Sequence, residues 1–207
     1  AASDVYKRQP QGWTSDDTDA AERVKIQYGT SMCYPVSSMG SHVSVVPNHQ
    51  LNRKTPLHTR ANVAYFGTFG YELDLNKLSD EEISEVKQQI TFMKEYRELI
   101  QFGTFYRLKS PFEGNETAWM TVSEDKKTAL VFWYRERNVV NADFTRVRLQ
   151  GLDPDLIYRN EYNETENYGD ELMNLGLLTT DCTAGEPTSE DEPCTDYESR
   201  IYVLTAK

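Results

Sequence analysis

The hydrophobic positions of the chain predict three helices in its first half. In each of them apolar residues recur every three to four positions, which is the spacing of one helix face. The predicted helices run from Asp19 to Gly29, from Thr55 to about Phe66, and from Ser79 to Ile100. Asp19 with Glu22 and Ser79 with Glu82 have the spacing of capping boxes, and Thr55-Pro56 suits a cap followed by the first helical position.

Between these helices the pattern changes to that of short strands. Residues 39–46 form an apolar run that ends in a polar loop, and residues 69–75 alternate between apolar and polar side chains. The alternation of helix and strand over residues 10–103 is typical of a parallel α/β sheet or barrel. Two strands are too few to close a barrel.

After about Phe105 the pattern predicts an all-β module, and we expect a β-sandwich over residues 104–207. The predicted strands are Trp119–Val122, Ala129–Tyr134, Arg146–Leu149 and Ile201–Thr205. Residues 160–198 are rich in Asp and Glu with Gly and Pro, which favours a solvated loop. A calcium site in this stretch is an alternative that lacks EF-hand spacing.

The overall composition argues against several classes of binding partner. The net charge of −11 argues against nucleic acid or an anionic membrane, and no apolar run is long enough to span a bilayer. The three histidines lack metal-site spacing, so we expect neither a metal ion nor a cofactor. Three cysteines do not form a disulfide framework, and a bridge between Cys182 and Cys194 stays an open alternative.

Residues 1–9 lack the positive start and apolar core of a signal peptide. They are similar to a translated sequencing adaptor, so we exclude them from fold reasoning. We therefore expect the chain to begin in the middle of a longer protein.

The strongest candidate chemistry lies at residues 13–20, where Trp13 precedes Asp16, Asp17 and Asp19. Sugar cleavage uses a carboxylic acid to protonate the leaving oxygen, and a flat aromatic side chain suits a sugar ring. The alternative is an acidic turn in which one aspartate caps the following helix. Spacing alone favours the acidic turn with a helix cap.

Several longer strings resemble glycoside hydrolase family 36, the melibiase-type α-galactosidases. They cover nearly all of the chain from Pro10 onward, in order and with matching spacing. The strings are WTSDDTD at 13–19, IQYGTS at 26–31, MGSHVS at 39–44, VPNHQ at 46–50, FGTFGYEL at 66–73, IQFGTFYRL at 100–108 and GDELM at 169–173.

The resemblance implies a division into two domains. Residues 10–103 would be the C-terminal portion of a (β/α)8 catalytic barrel, and residues 104–207 the C-terminal β-sandwich. The stretch from Trp13 to Asp19 would then lie at the C-terminal end of the sixth barrel strand, where barrel enzymes keep their chemistry.

The resemblance also implies a retaining mechanism by double displacement, in which Asp17 is the acid/base. Trp13, Asp16 and His49 become candidate substrate contacts, and we expect Trp13 to wall the pocket of Asp17. Glu72 and Asp74 fit a structural interpretation. The family's Lys-Trp-Asp nucleophile motif does not occur in the sequence, so this chain has no candidate nucleophile.

The expected function is therefore that of a fragment of a retaining α-galactosidase acting on melibiose and raffinose-type oligosaccharides. By resemblance the parent protein would be cytoplasmic and a homo-oligomer, specifically a tetramer. Two alternatives remain: the isolated chain is an inert structural piece, or its sandwich binds carbohydrate. In the second case Trp119, Trp133 and Tyr134 would stack on sugars instead of packing in the core.

Overall fold

The computed structural model describes residues 9–139, 144–179 and 196–207. The chain divides into two compact units, one ending at Phe102 and the other beginning at Gly103. The first unit contains α1 (Ala20–Thr30), β1 (Gly40–Ser44), α2 (Leu57–Ala64), β2 (Thr68–Glu72) and α3 (Asp80–Phe102). Two short 3-10 helices, Val36–Ser38 and Leu75–Lys77, precede β1 and α3. The predicted alternation of helix and strand is confirmed.

The strands of the first unit are parallel, as an α/β unit requires. The register runs from Gly40 opposite Thr68 to Ser44 opposite Glu72, and all residues of β1 are buried. A parallel bridge between Gly12 and Met39 places the chain before Trp13 on the other side of β1. Within residues 9–102 the parallel sheet consists of these strands and this bridge, so the complete barrel stays a prediction.

The predicted capping box is complete at the start of α3 and only partly formed at the start of α1. The Asp19 carboxylate accepts the Glu22 N–H at 3.0 Å, but the Asp19 N–H donates to Asp17 Oδ1 at 2.9 Å. Asp17 therefore supplies the reciprocal bond that the capping box assigned to Glu22. At α3 the box is complete, because Ser79 and Glu82 each accept the backbone N–H of the other.

The predicted start and end of α2 are wrong by one to two residues. Pro56 is the residue before the helix, in an extended conformation and without a side-chain cap, so Thr55 does not cap it. The helix ends at Ala64, whereas we predicted about Phe66. Gln27 of α1 donates to the carbonyl oxygens of Val63 and Phe66 at 2.8 and 3.3 Å, which satisfies carbonyls at this end.

The elements of the second unit are β3 (Thr104–Lys109), β4 (Glu116–Val122), β5 (Thr128–Arg135), β6 (Arg146–Val147), β7 (Ile157–Asn160), β8 (Glu166–Tyr168), α4 (Gly169–Asn174), β9 (Leu177–Leu178) and β10 (Glu198–Ala206). Six of the strands form an antiparallel sheet with the order β3-β4-β5-β10-β7-β8. The strands β6 and β9 form a separate two-stranded antiparallel sheet. All four predicted strands are present. The prediction missed the remaining strands and α4.

One hydrophobic core joins the large sheet to the small one. It includes Met120 and Trp133 from the large sheet, Val147 and Leu177 from the small sheet, and Leu172 from α4. This arrangement is compatible with a β-sandwich.

The three aromatic residues that we considered for sugar stacking are core residues. Trp119, Trp133 and Tyr134 are at most 3% exposed. Trp119 stacks on Phe132 with ring centroids 4.3 Å apart. Their faces are closed to a ligand, so the sugar-binding alternative based on them is wrong.

Some sequence predictions fall outside the described residues. Cys182, Cys194 and the middle of the acidic stretch 160–198 are among them, while Cys33 is a free, exposed cysteine. Every helix within residues 9–139, 144–179 and 196–207 is too short or too polar to span a bilayer. The same residues contain no group of three metal-ligating side chains.

Replacing Gly67 with alanine should destabilise the first unit. A β-carbon at this position would lie 2.2 Å from Ser41 Oγ and 2.8 Å from the carbonyl oxygen of Met39, so the turn into β2 would have to shift. We expect Gly67→Ala to lower the free energy of unfolding by about 1–3 kcal/mol, measured by urea denaturation. Gly70→Ala is the matched control, because a β-carbon there meets nothing within 4 Å. An equal loss in both variants would contradict the steric explanation.

Candidate functional site

The candidate site lies at the carboxyl ends of neighbouring parallel strands. Such ends meet at one edge of a sheet, which is where α/β proteins bind their ligands. The Gly12–Met39 bridge places Trp13 to Asp17 beside β1, and β1 carries His42. Glu72 is the last residue of β2. Three segments that are far apart in sequence therefore supply side chains to one edge.

Trp13 is the exposed aromatic residue of this edge. Its side chain lies on the surface, with 57% of the residue accessible to solvent. The indole Nε1 donates to Asp16 Oδ1 at 3.0 Å, and the ring stacks on His42 with centroids 4.6 Å apart and planes 14° apart. The structure thus brings together Trp13 and Asp16, two of the predicted substrate contacts.

A cleft of about 260 Å³ opens beside the indole of Trp13. Its wall combines aromatic rings with hydroxyl and backbone groups from Gly12, Thr14, Thr30, Tyr34, Ser38 and Met39. Thr30 ends α1, and Ser38 and Met39 directly precede β1, so the cleft lies towards the amino end of β1 and is not lined by Asp16, Asp17 or Glu72.

Asp17 is held by its neighbours in the segment that leads into α1. Its N–H donates to Ser15 Oγ at 3.1 Å, and its Oδ1 accepts the Asp19 N–H at 2.9 Å. Among the described residues no hydrogen bond engages Asp17 Oδ2. We expected the Trp13 indole to wall the pocket of Asp17, but it donates a hydrogen bond to Asp16. The two neighbouring carboxylates are therefore held by different groups, Asp16 by the indole and Asp17 by the Asp19 N–H.

Asp19 has a structural role, as its position predicts. It is 2% exposed, caps α1 and forms an ion pair with Arg53. Arg53 belongs to the loop after β1, so this pair ties that loop to the start of α1. The alternative interpretation, an acidic turn in which one aspartate caps the following helix, is confirmed for Asp19, and the contact of Asp16 with Trp13 lies within the same turn.

Arg23 is the residue that sequence reasoning missed. Its guanidinium is buried and donates to Thr14 Oγ1 at 2.6 Å, to the Gly40 carbonyl at 2.7 Å and to the Asp17 carbonyl at 3.1 Å. Burial lowers the pKa of Arg23, and the carboxylates of Asp17 and Glu72 oppose this shift. The available signal was its place beside Ala20, Val24 and Gln27 on the buried face of α1.

His42 and Glu72 form the second contact that was missed. His42 is buried. Its Nε2 lies 2.7 Å from Glu72 Oε2, with the carboxylate off the direction of the ring N–H. Burial lowers the pKa of His42 and nearby Arg23 lowers it further, while Glu72 opposes the shift.

The loop after β1 reaches the site through Asn48. Asn48 is buried and donates from Nδ2 to Thr18 Oγ1 at 2.9 Å. Its Oδ1 accepts the N–H groups of Gln50 and Leu51. His49, the predicted contact from this loop, is exposed beside it.

Two family profiles match the chain. The Melibiase family matches residues 3–103, and the Glycosyl hydrolase family 36 C-terminal domain matches residues 116–204. Together they cover the residues of the candidate site and most of the second unit.

Characterised relatives and solved structures agree with these matches. Alpha-galactosidase AgaA of Geobacillus stearothermophilus is 55% identical over 81% of this chain, and Mel36A of Lactobacillus acidophilus is 52% identical over 81%. The AgaA crystal structure superposes with a TM-score of 0.89 over 98% of this chain and 27% of its own. Variants of AgaA have been crystallised in complex with raffinose and with stachyose. The chain spans about a quarter of the length of the curated relatives it matches, 23% for both.

Replacing Arg23 with methionine should strongly destabilise the site. Methionine fills similar space but removes the guanidinium donor from the Asp17 carbonyl and from the hydroxyl of Thr14, while the Gly40 carbonyl retains the Thr14 hydroxyl as a donor. We expect a loss of about 3–5 kcal/mol in the free energy of unfolding, measured by urea denaturation. Lys25→Met on the same helix is the control and should stay within about 0.5 kcal/mol, because Lys25 is only partly buried in a surface ion pair. Equal stabilities of the two variants would refute the role given to Arg23.

Proposed function

The chain belongs to glycosyl hydrolase family 36, and we propose that the whole protein is a retaining α-galactosidase to which this chain supplies the acid/base. The observation that carries the proposal is the WTSDDTD stretch, which lies at the carboxyl ends of parallel strands with Asp17 held from one side. Relatives that are 55% and 52% identical are named alpha-galactosidases.

We place residues 10–103 in the C-terminal portion of a (β/α)8 barrel and residues 104–207 in a C-terminal β-sandwich. The parallel register of β1 and β2 and the antiparallel sheet of the second unit support this assignment. Trp13 to Asp19 then follow the sixth barrel strand, and β1 and β2 are the seventh and eighth. In a barrel, these carboxyl ends form the active face.

Asp17 acts as the acid/base in this proposal. The Asp19 N–H fixes Oδ1 and hence the plane of the carboxyl group, which leaves Oδ2 to carry the proton. In the first step the protonated acid donates to the glycosidic oxygen as the bond to the anomeric carbon breaks. In the second step the carboxylate removes a proton from the attacking water.

Trp13, Asp16 and His49 are the proposed substrate contacts. The exposed indole offers a flat surface to a sugar ring, and Asp16 keeps a second carboxylate oxygen for a sugar hydroxyl. Because Trp13 Nε1 holds Asp16 Oδ1, the aromatic wall and the hydrogen-bond acceptor form one rigid surface. The exposed His49 would contribute to the rim of the pocket.

The nucleophile of a double displacement must come from outside this chain. A retaining enzyme places its two carboxyl groups about 5–5.5 Å apart, and the sequence lacks the Lys-Trp-Asp motif that carries the second one in the family. We propose that this residue belongs to the remainder of the protein and faces Asp17. The chain is thus a fragment that holds one half of a catalytic pair.

The proposed substrates are terminal α-galactosides of the raffinose and melibiose type, which the protein hydrolyses. The complexes of AgaA variants with raffinose and stachyose support this choice. A homotetramer in the cytoplasm belongs to the same proposal by family resemblance. The net charge of −11 disfavours nucleic acid and anionic membranes as partners.

The second candidate function is that of an inert structural piece, and it applies to the isolated chain. A carboxylate that protonates the leaving oxygen cannot replace the group that captures the anomeric carbon. We expect the purified 207-residue chain to show no turnover of 4-nitrophenyl α-galactoside above the rate in buffer. Release of nitrophenolate in proportion to chain concentration would contradict the absence of a nucleophile.

Asp17→Asn should separate the acid/base role from the nucleophile role. The test uses a hybrid enzyme in which this chain replaces the matching part of Geobacillus stearothermophilus AgaA. We expect the variant to lose about 10²–10⁴-fold in kcat/KM for raffinose, whose leaving group needs the proton. The activated 4-nitrophenyl substrate should suffer less in the first step.

Azide provides the decisive readout for the same variant. It needs no proton removed, so it attacks the galactosyl-enzyme directly and releases α-galactosyl azide, with the configuration retained. Asp16→Asn is the neighbouring control and should form no azide product, since its acid/base remains intact. Wild-type hydrolysis of raffinose by Asp17→Asn, or release of the β-azide, would overturn the assignment.

A further inference from the structure

Three neighbouring segments are connected through side chains at the strand ends. Glu72 contacts His42, His42 stacks under Trp13, and Trp13 hydrogen-bonds Asp16. The distances along this path are 2.7 Å between Oε2 and Nε2, 4.6 Å between ring centroids and 3.0 Å between Nε1 and Oδ1. The path ends on the carboxylate beside the proposed acid/base.

The register explains why the path exists. His42 lies opposite Gly70, which has no side chain, and Glu72 is two residues further along β2. Side chains two residues apart in a strand point to the same face, so Glu72 and His42 project from the same face of the paired strands. The space at Gly70 stays open beside this contact, since a β-carbon there would meet nothing within 4 Å.

The chemistry of the path favours one orientation of the rings. The Glu72 carboxylate lies 2.7 Å from His42 Nε2 without accepting a hydrogen bond from it, so it restrains the imidazole by close contact and by its charge. Trp13 stacks on the imidazole plane at 14°, so its own orientation follows from that of the imidazole. The Glu72 side chain is 52% exposed and the His42 side chain 7%, which means that Glu72 contributes a contact at the surface and no buried packing.

We propose that Glu72 and His42 are positioning residues that hold the Trp13 indole, and with it Asp16, in the orientation that binds the galactoside. This inference rests on the proposed function and deepens it, because it assigns the support of the sugar-facing surface to two residues outside the WTSDDTD stretch. Glu72 acts through His42 and Trp13 and does not touch the substrate.

A double-mutant cycle in the hybrid enzyme tests the proposal. The variants are Glu72→Gln, Trp13→Leu and the combination of both, with kcat and KM measured for raffinose. We expect Glu72→Gln to raise KM about tenfold and to change kcat less than about twofold, since it weakens substrate and transition-state binding alike. In the Trp13→Leu background the same substitution should change KM less than about twofold, because the residue it acts through is absent.

Asp74→Asn is the matched control. Asp74 lies two residues beyond Glu72, is about as exposed, and accepts the N–H of Asn76 outside the path. It should change KM less than about twofold in either background, and both carboxylate variants should keep their melting temperature within about 2 °C of the parent.

The outcomes separate the two proposals. A wild-type KM for Glu72→Gln, or the same rise in KM with and without Trp13, would overturn the positioning role while the acid/base assignment stands. A hybrid enzyme that cleaves no α-galactoside would overturn the proposed function and this inference with it. Loss of activity in Asp17→Asn together with strong coupling between Glu72 and Trp13 would support both.

Discussion

The site depends on one buried cation. Arg23 projects from the first turns of α1 and donates to the Thr14 hydroxyl, the Gly40 carbonyl and the Asp17 carbonyl, so it joins the WTSDDTD stretch to β1. These acceptors are neutral and leave the guanidinium charge uncompensated. A charge without compensation at this depth would be very costly. The carboxylates of Asp17 and Glu72 lie close enough to oppose part of this cost.

This arrangement explains why the acidic stretch has such different neighbours within four residues. The Asp19 carboxylate caps α1 and forms an ion pair with Arg53. The Asp16 carboxylate accepts a hydrogen bond from the indole of Trp13. Asp17 keeps one carboxylate oxygen outside the hydrogen bonds of the described residues. Because adjacent aspartates have different roles, one short segment contributes both to the stability of the fold and to the proposed chemistry.

Local sequence signals predicted the parts of the structure that depend on near neighbours. The caps at Asp19 and Ser79 and the alternation of helix and strand depend on spacings of a few residues. The prediction failed at α2, where an extended Pro56 stands outside the helix. It could not find the contact of Glu72 with His42, because that contact depends on the register between β1 and β2. Arg23 was hidden for a related reason: only the fold shows which carbonyls face an arginine on the inner side of a helix.

The order of strands in the second unit bears on how the polypeptide folds as it is synthesised. The strand β10 lies between β5 and β7, yet Arg135 and Glu198, which pair at their junction, are 63 residues apart in the sequence. While the ribosome is still making the intervening segment, β5 has an open edge and the β7–β8 ribbon has no neighbour on its inner side. Unpaired edges are the surfaces on which nascent chains associate wrongly. The sheet is therefore completed by one late strand, and a polypeptide that stops before Glu198 would leave the sheet in two parts.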